Sequence, residues 1–317
     1  MTATDLRYRL EHRVVLTVRA LTRVLPQPML RALGAGIGLT FYAVDRAHRR
    51  LSVAQLRAAF PSRSERECRD IARRMFSHFG HLLVAMLEMS MRTPDEVRAR
   101  MEFEGEERVR AALARGKGVI VFSGHFGYWE MMIAGHPLVL PPMTLVVRPL
   151  SNPYLDSLLE TMRSHTGNQL IRRQGGLRRI LRALQANECV GILIDQHIQG
   201  SDAVVVDFFD RPAATTAALA TLALRTGAPL IPAFTMALPG GRYKLIYEHP
   251  VEPPDPASPD PVRELTQRCS DVLEMYVRRH PHLWLWMHRR WRDVPAREDR
   301  IPGMFPAAAP DEGEQSE

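Results

Sequence analysis

The sequence predicts an α/β fold: a mixed, mostly parallel central sheet flanked by helices, preceded by an N-terminal helical segment that associates with a membrane. Short apolar runs alternate with amphipathic stretches from about residue 101 onward, the pattern of strands separated by covering helices. The first hundred residues carry helical spacing instead. Polar, chemistry-bearing side chains gather where the apolar runs stop, and open α/β sheets bind ligands outside the carboxyl ends of their strands.

The elements follow in order. Val14 to Val44 is the most apolar part of the N-terminus, but Arg19, Arg23, Pro26, Pro28 and Arg31 break it. No uninterrupted apolar run reaches the roughly 18 residues of a spanning helix. One or two helices lying on or dipping into a membrane fit this pattern, with arginines suited to anionic lipid; a helical hairpin packed on the domain is the other reading. Gly34, Gly36 and Gly38 precede Leu39 and follow no strand, so they point to close helix packing rather than a dinucleotide loop. Leu51 to Phe60 is a helix stopped by Pro61, and Ser64 with Glu67 forms a capping-box pattern for the next, through Cys68, Ile71, Met75, Phe79 and Leu82 to Met89.

Strands are expected at Val119 to Phe122, Thr144 to Arg148, Gln169 to Ile171, Val190 to Ile194, Leu230 to Met236 and Tyr243 to Tyr247. Helices are expected at Tyr128 to Ala134, Pro153 to His165, Leu177 to Gln185, Ala213 to Thr226 and Pro261 to Arg279. Residues 250–260 form a stiff proline-rich loop, and 301–317 a disordered tail. The organisation is thus a helical, membrane-associating region over 1–100, an α/β domain over 101–300, and the tail.

Of the 317 residues 45% are hydrophobic, ample for a large core. The net charge of +7 resides almost wholly on arginine, since Lys117 and Lys244 are the only lysines. Guanidinium forks grip phosphate and carboxylate in pairs of hydrogen bonds. An anionic lipid, a phosphorylated substrate or an acidic protein would answer that charge. A nucleic-acid partner has charge alone in its favour and is not expected. Cys68, Cys189 and Cys269 form neither a CxxC pair nor a disulfide framework, and no His/Cys cluster has zinc spacing, so no metal is expected. The arginine-rich N-terminus is not a cleaved signal peptide.

The most informative stretch is Ser123-Gly124-His125-Phe126-Gly127-Tyr128-Trp129-Glu130, where a buried strand turns into a helix. A histidine with a nearby carboxylate is a general base with an orienting partner, able to take the proton from an attacking hydroxyl. Positions five apart do not share a helix face, so His125 must sit in the turn for Glu130 to reach it. Ser123 is no nucleophile elbow, because Val121 stands where that motif needs glycine. Other strand ends offer Arg148 with Asn152, Asp195 with Gln196, and Asp207 to Thr216. Arg148 suits a phosphate or a developing oxyanion, or an ion pair with Asp156 or Asp195. Asp195 and Gln196 would orient the base or the acceptor hydroxyl, or cap the sheet end. Phe208 and Phe209 are core or the lining of an acyl pocket. His282 to Trp291, with tryptophans at 284, 286 and 291, fits base stacking, a membrane interface or an edge strand.

Gly124 to Glu130, Arg148-Pro149 with Asn152, Asp195-Gln196, Phe209 to Ala213 and Trp284 to Trp291, in this order, resemble the bacterial lipid A biosynthesis (lauroyl/myristoyl) acyltransferases. These sit in the wider lysophospholipid acyltransferase superfamily, whose signature is a histidine and an acid five positions on. The resemblance covers roughly residues 5 to 295. It implies a glycerol-phosphate acyltransferase-like sheet and an O-acyltransferase without cofactor. The donor would be an acyl-carrier protein or acyl-CoA thioester. The acceptor would be a glycolipid hydroxyl, and the place the cytoplasmic face of a bacterial inner membrane. It implies His125 as catalytic base and Glu130 as its charge partner, with Asp195 a rival for that part. Arg148, Asn152, Asp195, Gln196, Phe209 and Arg211 would bind substrate. Phosphatidylinositol mannoside acyltransferases share most of the pattern and keep a second acceptor open; a non-catalytic lipid-binding protein is the reading from another class. Tyr128 stands where the family usually has Asn, and Asp210 where it usually has Gly.

Overall fold

The computed structural model describes residues 2–172, 176–200 and 202–292; the expected tail over 301–317 lies outside the described residues. The chain opens with four helices: α1 (Ala3–Leu21), α2 (Gln27–Val44), α3 (Arg46–Ala59) and α4 (Glu65–Met89). Ser64 and Glu67 cap α4 reciprocally, as their spacing predicts. Gly34 and Gly38 let α2 lie directly on α4 at Gly80. A Cβ on Gly38 would stand 2.1 Å from the Phe76 carbonyl oxygen, and one on Gly80 2.0 Å from that of Gly34. No helix of the described residues is long and apolar enough to cross a membrane. Instead α1 is two-faced. Tyr8, His12 and Val15 turn inward, while Leu6, Leu10 and Val14 leave more than half of their surface in solvent.

After the short helix α5 (Pro94–Arg98) the chain alternates: β1 (Met101–Glu104), α6 (Glu106–Leu113), β2 (Val119–Ser123), α7 (Trp129–Gly135), β3 (Met143–Val147), α8 (Pro153–Ser164), β4 (Gln169–Arg172), α9 (Gly176–Gln185) and β5 (Cys189–Leu193). A hairpin of β6 (Ala203–Asp207) and β7 (Pro212–Thr216) follows, then α10 (Ala218–Thr226), β8 (Leu230–Leu238), β9 (Arg242–Tyr247) and α11 (Pro261–Arg279). The main sheet has seven strands in the order β1-β9-β8-β2-β5-β3-β4. Its pairings are parallel except β8 with β9, so β1 and β9 run against the rest. β2 lies at the centre, and each of its residues is buried, as a strand covered on both faces requires.

One core joins the N-terminal helices to the sheet: Leu56, Phe60, Met75 and Phe76 pack in the same cluster as Phe122, Phe208, Trp284 and Trp286.

Two expectations are corrected. Residues 213–216 are not the start of a helix but the second arm of the β6–β7 hairpin, whose register pairs Asp207 with Pro212 across the two-residue turn Phe209-Asp210. The backbone of both turn residues is left-handed, at φ 57° and 58°, as a tight hairpin turn demands. Residues 283–287 form no edge strand. They make a single bridge, Phe126 with Trp284, and bury Trp284 and Trp286 completely, which also removes them from base stacking or a membrane interface.

Candidate active site

β2 ends at Ser123, and the turn that follows aims the His125 ring toward the end of neighbouring β5. Gly127 makes the turn possible. Its φ is +60°, and a Cβ there would lie 2.4 Å from the Thr235 carbonyl oxygen. The segment 283–285 clasps the turn: Gly127 N–H donates to the Leu283 carbonyl at 2.9 Å and Leu285 N–H to the His125 carbonyl at 3.2 Å. From α4, His78 bonds the Gly127 carbonyl at 3.0 Å.

The partner of the histidine is Asp195, not Glu130. Asp195 Oδ1 lies 2.8 Å from His125 Nδ1, and Oδ2 accepts the His125 backbone N–H at 2.7 Å. The Trp284 indole N–H donates to the same Oδ2 at 2.8 Å. This ionised, acceptor-only carboxylate therefore receives three N–H donors and fixes the ring with Nδ1 protonated and Nε2 free. Burial opposes charge on both groups, yet mutual attraction and these hydrogen bonds outweigh it. The Asp195 carboxyl is held down at about 2, and the His125 imidazolium is raised above its usual value.

Glu130 sits on the first turn of α7, buried and without a hydrogen bond to the ring among the described residues. It accepts from Arg163 Nε at 3.1 Å and from the Trp129 indole N–H at 3.1 Å. Its influence on His125 acts through space and through Trp129, whose ring lies 5.2 Å from the imidazole. His125 does sit in the turn, as its spacing to Glu130 requires, but the Glu130 carboxylate is taken up by Arg163 and Trp129.

The other expected residues divide. Gln196 belongs to the site, with its amide nitrogen 3.5 Å from His125 Nε2. Arg148 is exposed just past the end of β3 and makes neither of the ion pairs considered for it among the described residues. The strand order places β3 two strands from β2, about 10 Å across the sheet. Asn152 does not line an open site. It is buried, caps α8 by accepting from Tyr154 and Leu155 N–H, and donates to the Tyr8 carbonyl and Glu11 of α1 at 3.0 and 2.9 Å. Phe209 is a buried turn residue packed on Phe60 and Trp286. Arg211 stacks over Trp291, its guanidinium 5.2 Å from the ring centre.

Sequence reasoning missed the support from residues 284–290. Trp284 anchors the carboxylate. His288 accepts the His197 N–H at 2.9 Å, next to Gln196. Arg290, fully buried, donates to the Ala214 carbonyl at 2.7 Å and to Thr215, and its own N–H meets Gln55. The signal lay in the alternation of Trp284 and Trp286, which marks a period of two but not what the indole N–H meets. Among the described residues no group of three or more His, Cys, Asp or Glu is placed to hold a metal ion.

A base with one free nitrogen, its other nitrogen fixed by a buried carboxylate, can remove a proton from a bound hydroxyl. The family model for bacterial lipid A biosynthesis acyltransferases matches residues 3–293. A lipid A biosynthesis acyltransferase of Haemophilus influenzae is 27% identical over 249 residues, covering 77% of this chain and 76% of that one. A lipid A biosynthesis lauroyltransferase of Escherichia coli is 28% identical over 287 residues, 89% and 90% of the two chains. Among solved structures, the 1-acyl-sn-glycerophosphate acyltransferase of Thermotoga maritima aligns over 79% of this chain and 95% of its own, with 16% identity and a TM-score of 0.36. With the match running through nearly the whole described chain, the protein belongs to the bacterial lipid A biosynthesis acyltransferase family and is an O-acyltransferase.

Proposed function

We propose that the protein transfers a fatty acyl chain from an acyl thioester to a hydroxyl of a lipid A precursor, at the cytoplasmic face of a bacterial inner membrane. The donor is an acyl-carrier protein or CoA thioester. The observation that carries the reading is the His125–Asp195 pair, set at the sheet end in a chain whose relatives are named as lipid A acyltransferases. His125 Nε2 takes the proton as the acceptor oxygen attacks the thioester carbonyl. The new C–O bond makes a tetrahedral oxyanion; its collapse breaks the C–S bond, and the thiolate leaves with the electron pair and takes up the proton from His125. A thiolate leaves readily, so one base suffices and no acyl-enzyme is needed.

The backbone N–H groups of His125, Gly127 and Tyr128 already serve internal acceptors, so they are not oxyanion donors. Arg148, exposed and unpaired among the described residues, and the Gln196 amide are the groups assigned to the developing charge and the incoming oxygen. Glu130 is assigned to positioning, through Arg163 and Trp129.

Membrane association is supported by the outward stripe of α1, Leu6, Leu10 and Val14, and by Phe41 and Val44 exposed on α2. The test is direct. The purified protein should move an acyl group from the thioester to a lipid A precursor, read by mass spectrometry as one added chain. His125→Ala should lower the rate at least about 100-fold with the thermal melt unchanged. Retained turnover in that variant would refute the role of the histidine.

A further inference from the structure

A groove of about 510 Å³ opens between α2, α4, the end of β8 and the turn Pro281–Leu283. Arg73, Arg74, His81, His280 and His282 line it, and no carboxylate does. Leu39, Met236 and Leu283 supply apolar wall. Arg74 makes no hydrogen bond or ion pair among the described residues. Arg73 has one carboxylate within reach, Asp70 at 3.8 Å, and both side chains of that pair are more than half exposed, so the guanidinium is barely committed. Arg31 on α2 adds its field at His81 and Tyr128. A concave surface of this size with several unspent guanidinium and imidazole donors and no acid is suited to a phosphate, whose oxygens take forked charge-assisted hydrogen bonds.

The groove is joined to the catalytic turn. His78, at its floor, bonds the Gly127 carbonyl, and the Tyr128 ring stands edge-on to His78 with centres 4.9 Å apart. Leu283 on the opposite wall accepts the Gly127 N–H. Leu39, on the apolar wall, belongs to the helix that exposes Phe41 and Val44. The surroundings therefore pair an anion-binding wall with the apolar edge assigned to the membrane, which fits a phosphorylated amphiphile rather than a free ion.

We propose that this groove is an anion subsite that seats a phosphate ester on the headgroup of the acceptor glycolipid, beside the turn that carries His125. The proposal rests on the acyl-transfer reading for its substrate and adds the group by which that substrate is held. The phosphodiester of a donor's pantetheine arm has related chemistry, and the test separates the two sources.

The test uses the full chain with Arg73→Gln/Arg74→Gln and, separately, His282→Gln, both checked for an unchanged melt. The acceptor is a lipid A precursor offered with its phosphates and after phosphatase treatment. Expected is a rise of about 10-fold or more in KM for the phosphorylated acceptor in the double variant, with kcat and the donor KM little changed. His282→Gln should move the same parameter by less. On the phosphatase-treated acceptor the wild type and the variant should become equal. An unchanged acceptor KM, a rise in donor KM instead, or an equal loss on both acceptors would each overturn the proposal. Binding to vesicles carrying either acceptor is read without turnover. A wild type that prefers the phosphorylated vesicles but transfers nothing would sink the acyl-transfer reading and leave the subsite. A wild type that acylates both acceptors alike, with no preference in binding, would do the reverse.

Discussion

Asp195→Asn separates the two carboxylates that compete for the histidine. Three N–H donors converge on Asp195: the His125 ring and backbone at 2.8 and 2.7 Å, and Trp284 at 2.8 Å. An amide has only one accepting oxygen. With that oxygen at the Oδ2 position, two of the three bonds survive, and the amide NH₂ then faces Nδ1. The ring must answer by accepting there, which moves its own proton to Nε2 and blocks the base. The alternative flip keeps one bond and loses two, so the blocking arrangement is preferred. In a Ser-His-Asp triad the same change costs about 10⁴-fold in kcat. A comparable loss here, of about 10³–10⁴-fold, corresponds to roughly 4–5.5 kcal/mol of lost transition-state stabilisation. Glu130→Gln leaves the imidazole bonds intact and disturbs Arg163 and Trp129, so its loss should be about 10-fold.

The assay is release of free thiol in the presence of acceptor, followed across pH on protein of verified fold. Only the neutral ring acts as base, so kcat/KM rises with pH through a midpoint that the raised His125 value puts above that of an ordinary histidine. Removing the carboxylate leaves burial opposed only by the weaker field of Glu130, and the residual midpoint of Asp195→Asn must move to lower pH. If Glu130→Gln proved as severe as His125→Ala while Asp195→Asn stayed mild, the geometry given for the pair would be wrong.

Two further outcomes are expected. Asp210→Gly relieves a left-handed backbone at φ 58° in the β6–β7 turn and forfeits only an exposed contact with Arg278. It should stabilise the protein by about 0.5–1 kcal/mol and raise the melting temperature by about 1–3 °C, and a lowered melt would contradict the strain argument. Leu6→Ser/Leu10→Ser/Val14→Ser removes the outward apolar stripe of α1. Partition onto anionic vesicles should fall at least about tenfold with the melt unchanged, since those side chains lie outside the core; unchanged partition would discard α1 as the anchor.

Much of the fold was legible because its central strands are unbroken apolar runs. Val119 to Phe122 and Val190 to Ile194 could be little else. The hairpin was hidden. Its turn is Phe209-Asp210 where glycine or asparagine would announce it, and Ala213-Ala214-Thr215-Thr216 reads as easily into the following helix. β1 escaped because Met101–Glu104, at the sheet edge, alternates apolar with charged residues over too short a span. The histidine could be named from its turn. Its partner could not be chosen, because Asp195 is 70 positions away and only the pairing of β2 with β5 brings the two together. Asn152 looked like a ligand-facing residue and is a cap that also pins α1, a distinction that rests on where the N-terminal helix docks.

The clasp of residues 283–285 on the histidine turn bears on when the site comes into being. A ribosome has made His125 and Asp195 long before it reaches Trp284, so a growing chain holds the base and its acid without the indole that fixes one or the backbone that braces the other. The constellation closes only once nearly the last described residues have emerged. Cutting the chain before Leu283 would therefore keep both the base and its acid, yet remove one of the three bonds to the acid and the brace on the turn.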